Sequence, residues 1–323
     1  MTIMAKTAVI LFNLGGPDRP ESVRPFLFNL FSDPAIIGLP DPFRWFLARF
    51  ISSRRAPYAG KIYRSLGGGS PLLKETHRQA EALEEKLGEG FKVFVAMRYW
   101  RPRASETVGS VAEWMPDRIV LLPLYPQFST TTTASSFREW KCEMKNANLA
   151  IPTRKIDSYP ENHGLVDAFA ELIHPFLEQA RGKGIPRILF SAHGIPKRRI
   201  LNGDPYRDHM VRTVRKIVAN LSADSGSFDW RVCYQSKVGP MEWLGPSIAE
   251  EIKRAGEDRV PLVVVPVSFV SEHIETLYEL DVQYRTLAEQ CGISFFGRVP
   301  APGIHPRFIE GLAEEVNNAL SAS

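Results

Sequence analysis

Cysteine is scarce in this sequence, which limits the kinds of site that the chain can build. Three cysteines occur among 323 residues, Cys142, Cys233 and Cys291, and no two of them have CxxC spacing. A sparse, odd set argues against a disulfide framework and against a clustered zinc site, and it is typical of a reducing compartment. We therefore expect a cytoplasmic protein.

Excess basic charge and long apolar runs are also absent. The 40 Lys and Arg residues against 36 Asp and Glu leave a net charge of +4, whereas a nucleic-acid-binding protein normally carries a strong basic stripe. Apolar runs such as 260–267 are far shorter than the roughly 20 residues of a membrane-spanning helix. The apolar stretch before Asn13 is too short for a signal peptide. These features exclude nucleic acid as the expected partner and leave, at most, peripheral attachment at the inner face of a membrane.

Common cofactor signatures are missing as well. No GxGxxG motif follows a predicted strand and no GxxxxGK[ST] motif occurs, so neither a dinucleotide fingerprint nor a P-loop is present. The glycine-rich segment GGGSP, residues 67–71, precedes a predicted helix and could bind an anion through its backbone N–H groups. A flexible connector is the plainer interpretation of this segment.

Short apolar segments alternate with longer amphipathic segments, which predicts an α/β fold with parallel sheets covered by helices. The predicted strands are 8–13, 91–97, 118–124, 153–157, 187–193, 230–235, 261–267 and 293–296. The predicted helices include 71–87, 165–179, 206–221 and 247–255. The strand at 10–13 and the strand at 188–191 are each followed by glycine and proline, which suggests duplicated α/β units. Ligands of such folds bind beyond the carboxyl ends of the strands.

Two segments that follow predicted strands carry candidate catalytic groups. His193 ends a strand, where it could accept a proton, ligate a metal or simply hydrogen-bond within a loop. Glu272, Glu275 and Glu279 are spaced to share one face of a helix, and no basic residue follows them until Arg285. A row of oxygen ligands for a divalent cation, or a proton relay, explains this pattern better than a solvated acidic face.

Two further segments are rich in aromatic residues. The loop 235–246 contains Trp243 among glycines and prolines, so this ring belongs either to the core or to a site for a flat ligand. A predicted helix beginning near Pro42 carries an apolar stripe, which is either core or a lip at a membrane surface. The apolar residues of this segment are Phe43, Trp45, Phe46, Leu47, Phe50 and Ile51, and the accompanying basic residues are Arg44, Arg49, Arg54 and Arg55.

Taken together, these segments resemble ferrochelatase, the enzyme that inserts Fe²⁺ into protoporphyrin IX. The resemblance rests on LFNLGGP (11–17), Arg54-Arg55 with Tyr63, GGGSP (67–71), MRY (97–99), SAHGIP (191–196), QSKVGPMEWLGP (235–246) and FVSEHIETLYELD (269–281). It implies two Rossmann-like domains, each a parallel sheet flanked by helices, with a porphyrin cleft between them. We expect a first domain over 1–157, completed by a C-terminal helix at 305–323, and a second domain over 158–304.

The resemblance also implies roles for individual residues. It makes His193 and Glu275 the catalytic residues, facing each other across the macrocycle, and makes His193, Glu275, Glu279 and Glu272 the candidate metal ligands. The implied porphyrin-binding residues are Leu14, Arg55, Tyr63, Ser70, Arg98, Tyr99, Ser236, Trp243 and Phe269, of which Arg55, Ser70 and Ser236 would receive the propionates. Leu14 replaces the methionine or tyrosine that is often found there, and Tyr58 stands where some relatives have lysine.

The expected function is therefore insertion of Fe²⁺ into protoporphyrin IX with release of two protons, the terminal step of haem biosynthesis. The alternatives are a chelatase for coproporphyrin or for cobalt or nickel, and a non-catalytic tetrapyrrole-binding protein. We expect no prosthetic group and no iron–sulfur cluster, because such a cluster generally needs four ligands, mostly thiolates. Weak peripheral association with a membrane and a transient contact with the preceding pathway enzyme are further expectations.

Overall fold

The computed structural model describes residues 5–321 except 225, 238 and 240, and the chain divides into two compact units. The first unit contains the residues up to Ser158 and those from Leu312 onward, and the second unit is Tyr159–Gly311. The division lies one residue from the expected domain boundary. The C-terminal helix α11 (Pro306–Ser321) is shared, because its residues up to Gly311 group with the second unit.

The first unit is built on a four-stranded parallel sheet in the order β2-β1-β3-β4. Its strands are β1 (Thr7–Asn13), β2 (Phe91–Met97), β3 (Arg118–Pro123) and β4 (Thr153–Lys155). Its helices are a 3₁₀ turn at Pro20–Ser22, α1 (Val23–Ser32), α2 (Phe43–Ser65), α3 (Leu72–Leu87), α4 (Ala104–Trp114) and α5 (Thr133–Asn146). Every residue of β1 is buried, as expected for a central parallel strand that helices cover on both faces.

The second unit repeats this plan with the order β6-β5-β7-β8. Its strands are β5 (Arg187–His193), β6 (Asp229–Gln235), β7 (Leu262–Val265) and β8 (Phe296–Arg298). Its helices are α6 (His163–Arg181), α7 (Lys197–Leu201), α8 (Tyr206–Asp224), α9 (Ile248–Asp258), a π-helix at Glu275–Tyr284 and α10 (Arg285–Gln290). In both units the second strand pairs with the first and the first with the third, which supports the duplication suggested by the sequence. The α/β fold with two parallel sheets is confirmed.

Two predicted strands of the second unit differ from the structure. The predicted strand 261–267 is shortened to β7 because Pro261 and Pro266 flank it and lack the N–H that a ladder needs. The predicted strand 293–296 is wrong except for Phe296. Ile293 instead donates its backbone N–H to the carbonyl of Ala288 and so ends α10.

Helix α2 carries the apolar stripe on its surface. Phe43 is 67% exposed and Phe46 62%, and Trp45 and Phe50 are also exposed, so the core interpretation is wrong for these four residues. Only Ala48 of this stretch is fully buried. No helix in the described part of the chain is both long enough and apolar enough to cross a membrane.

Candidate active site

The candidate site of the second unit begins where two neighbouring strands end together. His193 is the last residue of β5, and its register partner Gln235 is the last residue of β6. The backbone N–H of His193 donates to Ser268 Oγ at 3.0 Å, and the Tyr206 hydroxyl donates to the His193 carbonyl at 3.0 Å. These contacts fix the backbone of His193 at the carboxyl edge of the sheet, where parallel α/β folds bind ligands.

The acidic segment forms a π-helix that begins at Glu275. Its hydrogen bonds run from i to i+5, and such turns are rare and frequent at functional sites. The sequence analysis predicted one α-helical row of three glutamates, and this is wrong for Glu272. That residue precedes the helix, and its carboxylate accepts from Arg298 at 2.5 Å and from the Ala301 N–H at 3.0 Å. Because the Glu272 carboxylate is bound to Arg298, Glu272 does not belong to the predicted row of metal ligands.

His193 and Glu275 are in direct contact. The Nδ1 atom of His193 lies 2.8 Å from Oε2 of Glu275. Groups on opposite faces of a planar ring must lie about 7 Å apart, because each contacts the ring at 3.5–4.0 Å. The expectation that these residues face each other across the macrocycle is therefore wrong for this structure, and they form a pair that can act on a ring from one side only.

Glu279 lies beside this pair and is held by the residue that follows β6. The Ser236 N–H donates to Glu279 Oε1 at 2.9 Å, and the Ser236 hydroxyl donates to Oε2 at 2.5 Å. The same hydroxyl lies 3.2 Å from Oε2 of Glu275. Gln235 donates from Nε2 to Glu279 at 3.3 Å. The structure thus places Ser236 in contact with both glutamates, and its assignment as a propionate-binding residue stays a prediction.

The pKa values at the site diverge. Burial alone would lower the pKa of His193, but the adjacent Glu275 carboxylate reverses this and raises it. Burial opposes ionisation of Glu275, yet the charge and hydrogen bond of His193 outweigh it and hold that pKa well below its usual range. Burial and the negative charge of Glu275 raise the pKa of Glu279. Groups whose environments separate their pKa values in this way are typical of acid–base sites.

Phe269 and Trp243, two of the predicted porphyrin-binding residues, lie beside His193 and Gly194. The ring of Phe269 is edge-on to the imidazole, with 6.4 Å between ring centroids. Trp243 packs on Gly194, where an added Cβ would lie 3.2 Å from Trp243 Cε3 and 2.9 Å from the Gln235 carbonyl oxygen. Glycine is required at 194 for this close approach. Val238 and Pro240 of the same loop lie outside the described residues.

Tyr99 and Arg98, two predicted porphyrin-binding residues of the first unit, are bound to other side chains of that unit. Tyr99 is fully buried, and its hydroxyl donates to Asp33 Oδ2 at 2.8 Å. Arg98 donates to the same oxygen at 2.7 Å and to Ser135 Oγ at 2.8 Å. The prediction that Tyr99 lines the porphyrin pocket is wrong in this structure, because its ring has no exposed surface and its hydroxyl supports a buried carboxylate.

The remaining predicted porphyrin ligands lie in the first unit, and they are not in one environment. Tyr63 is buried in α2, whereas Arg55 is exposed, with its guanidinium over the Phe31 ring. Ser70 accepts from the Leu72 N–H at 3.3 Å at the start of α3. Leu14 is half-buried and accepts the Tyr99 N–H through its carbonyl. Their assignment as porphyrin ligands stays a prediction.

Several residues of the site were not singled out from the sequence. His273 is buried, packs against Phe269 with the two rings tilted and 4.4 Å between their centroids, and places Nε2 4.0 Å from Glu275 Oε2. The sequence feature that could have identified His273 is its position two residues before Glu275. Tyr206 and Ser268 offered none, because each acts through a backbone atom of His193.

The predicted four-residue metal set is not assembled as one cluster. Within the described residues, no three His, Cys, Asp or Glu side chains come together as a group that could hold a metal ion. His193, Glu275 and Glu279 share the site, but Glu272 is bound to Arg298. The geometry therefore offers a histidine base and two adjacent carboxylates at one sheet edge.

Comparison with known proteins relates the whole chain to one family. The ferrochelatase family model matches residues 6–320. A ferrochelatase of Caulobacter vibrioides is 49% identical over 320 residues, covering 98% of this chain and 90% of the relative. A ferrochelatase of Wolbachia sp. subsp. Drosophila simulans is 50% identical over 313 residues, covering 96% and 98%. SirB from Bacillus subtilis, solved with Fe³⁺, shares the fold with a TM-score of 0.59 at 9% identity, covering 98% of this chain and 96% of that one. The chain belongs to the ferrochelatase family.

Proposed function

We propose that this protein inserts Fe²⁺ into protoporphyrin IX, forming protohaem and releasing two protons. Family membership supports the reaction class. The observation that carries the assignment of residues is the 2.8 Å contact between His193 Nδ1 and Glu275 Oε2. A protein that only carried a tetrapyrrole would need an apolar surface but would have no use for a base paired with a carboxylate.

His193 is the proposed acceptor of a pyrrole proton. When the imidazole is neutral and donates Nδ1–H to Glu275, Nε2 keeps its lone pair and can accept a proton from the substrate. The Glu275 carboxylate then stabilises the imidazolium that forms, as an oriented carboxylate does beside other catalytic histidines. A base with a pKa near the operating pH is the most effective one.

Glu275 and Glu279 are the proposed ligands that receive the iron ion. Carboxylate oxygens replace water on a hard divalent cation without the tight grip of thiolates, so the ion can be passed on. The pyrrole N–H bonds break, their protons leave through His193 and the carboxylates, and the nitrogen lone pairs form the bonds to iron. No electron is transferred, and Fe²⁺ keeps its oxidation state.

The test is an anaerobic assay of purified protein, followed by absorbance. Fe²⁺, Co²⁺, Ni²⁺ and Zn²⁺ are each supplied with protoporphyrin IX and, separately, with coproporphyrin. We expect Fe²⁺ to be inserted into protoporphyrin, with the haem spectrum as product. Preference for coproporphyrin, cobalt or nickel would favour the alternative chelatase. Binding of porphyrin with no insertion of any metal would favour a carrier.

We also propose a cytoplasmic protein that touches a membrane through α2. The exposed aromatic residues of this helix accompany Arg49, Arg54 and Arg55, all of them exposed. A basic residue near an anionic lipid surface contributes about 1 kcal/mol. Because protoporphyrin and haem are poorly soluble in water, docking where they partition would favour their exchange. The expected association is weak and sensitive to salt.

A further inference from the structure

Ser236 has an unusual backbone conformation at the edge of the site. It directly follows β6, and its φ is 64°, in the left-handed region that residues other than glycine rarely adopt. Such a conformation persists only where the surroundings hold it. Here both the amide and the hydroxyl of Ser236 contact acidic side chains of the π-helix.

The contacts of Ser236 engage both oxygens of one carboxylate. Its N–H lies 2.9 Å from Glu279 Oε1 and its hydroxyl 2.5 Å from Oε2, whereas the hydroxyl is 3.2 Å from Glu275. A hydroxyl has one hydrogen to donate, so the shorter contact makes Glu279 the main acceptor. The hydroxyl oxygen therefore lies between the two glutamates and is bound more closely to Glu279.

The other contacts of Glu279 are longer. Gln235 Nε2 lies 3.3 Å from Oε2, and the Tyr284 hydroxyl lies 3.3 Å from Oε1. Both distances lie beyond the usual range for hydrogen bonds. Among the described residues, loss of the Ser236 hydroxyl would leave Oε2 with only the long contact from Gln235, so the orientation of the carboxylate depends mainly on Ser236.

We infer that Ser236 is a positioning residue, whose hydroxyl and amide hold the Glu279 carboxylate beside Glu275 so that both present oxygens to one Fe²⁺ ion. This inference rests on the proposed function and assigns to Ser236 a role in iron delivery rather than in propionate binding. The two roles differ in a measurable way, because one affects the kinetic constants for iron and the other those for porphyrin.

The test variant is Ser236→Gly. It removes the hydroxyl, keeps the amide that contacts Glu279, and suits the positive φ. Loss of a group that orients a metal ligand costs about 10–100-fold in metal affinity or activity. We expect the KM for Fe²⁺ to rise at least about tenfold and the KM for protoporphyrin to stay within about twofold. Ser236→Ala, which also lacks the hydroxyl, should show the same split, and circular dichroism checks that both variants fold.

A double-mutant cycle with Glu279→Gln checks that Ser236 acts through Glu279. In the Glu279→Gln background, Ser236→Gly should change the KM for Fe²⁺ by less than about twofold, because the carboxylate that it positions is already gone. If Ser236→Gly raises the KM for Fe²⁺ as much in the Glu279→Gln background as in the unmodified protein, the inference is overturned. A higher KM for protoporphyrin with an unchanged KM for Fe²⁺ would also overturn it and would indicate a propionate contact.

Anaerobic titration calorimetry with Fe²⁺ separates this inference from the proposed function, because it requires no turnover. We expect Ser236→Gly and Glu279→Gln each to weaken Fe²⁺ binding relative to the unmodified protein. Equal Fe²⁺ affinity in all three proteins would overturn the positioning role even if the unmodified enzyme makes haem. Absence of metal insertion in the unmodified protein, with weakened Fe²⁺ binding in both variants, would overturn the proposed function and support the positioning role.

Discussion

Nδ1 of His193 lies 2.8 Å from Oε2 of Glu275, although the two residues are 82 positions apart in the sequence. The sheet brings them together, because His193 ends β5 and the π-helix that starts at Glu275 follows the neighbouring strand β7. The His193 side chain is 39% exposed and that of Glu275 21%. The pair is thus partly sheltered yet reachable, as a base that acts on a bound substrate must be.

The first prediction concerns the pKa of His193 in the free protein. Glu275 raises this pKa against the opposing effect of burial. We expect an NMR titration to give a value above the ordinary 6.5 or so, and a value below it in Glu275→Gln, where burial acts without the carboxylate. Because the base must be neutral, metal insertion should increase as pH rises through this pKa. In Glu275→Gln, metal insertion should increase at a lower pH than in the unmodified protein.

Glu289→Gln is the matched control for this titration, since Glu289 is an exposed carboxylate on α10. It should leave the His193 pKa where it is. A His193 pKa that does not move in Glu275→Gln would show that the 2.8 Å contact has no electrostatic consequence.

The second prediction separates the two glutamates by their effect on turnover. Glu275→Gln should abolish most metal insertion, because it removes the charge that supports the His193 imidazolium. Glu279→Gln should be milder, since no contact links Glu279 directly to His193 in the described residues. Steady-state rates at saturating porphyrin check the order. Wild-type turnover in both variants would contradict a role for these glutamates in metal insertion.

The third prediction is that the purified protein holds no iron–sulfur cluster, although some ferrochelatases carry one. Such a cluster generally needs four ligands, mostly thiolates. The sequence has three cysteines, of which Cys142 is exposed, Cys233 is buried and Cys291 is half-buried. Burial also raises the pKa of Cys233, which disfavours the thiolate. A stoichiometric cluster signal in visible absorbance or electron paramagnetic resonance would contradict this.

The fourth prediction concerns the exposed face of α2. Replacing Phe43, Trp45 and Phe46 together by Ser should reduce co-sedimentation with anionic liposomes and raise the KM for protoporphyrin. Folding should change little, because these side chains are exposed. A control that replaces exposed Ile185 and Leu201 of the second unit by Ser should bind liposomes like the unmodified protein. Unchanged liposome binding in the triple variant would exclude α2 as the membrane contact.

The sequence was informative where burial and periodicity determine the structure. β5 has the bounds predicted for it, because a run of buried apolar residues leads directly to His193. The sequence left open whether the apolar stripe of α2 belongs to the core or to the surface, because an aromatic-rich helix fits either environment. The structure decides the question, because Phe43, Trp45, Phe46 and Phe50 are exposed.

The parts of the site that depend on distant contacts could not be predicted. The spacing of Glu272, Glu275 and Glu279 suits an α-helix, and nothing in it signals an i→i+5 ladder. Arg298 of β8 binds both Glu272 and Asp281, and so fixes residues on either side of Glu275 and Glu279. β8 itself was misplaced in the sequence analysis, so this constraint was invisible. The positive φ of Ser236 likewise has no local signature, because serine rarely adopts it.

The measurement that tests the central claim most directly compares turnover and porphyrin affinity in His193→Ala. The imidazole acts on pyrrole protons, whereas burial of the ring faces supplies most of the affinity for porphyrin. We expect metal insertion to fall by about 10²–10⁴, the usual loss when a general base is removed, with the porphyrin Kd within a few-fold. His77→Ala, an exposed histidine on α3, should leave both unchanged. Retention of more than about a third of the wild-type turnover, against that expected loss, would contradict His193 as the base.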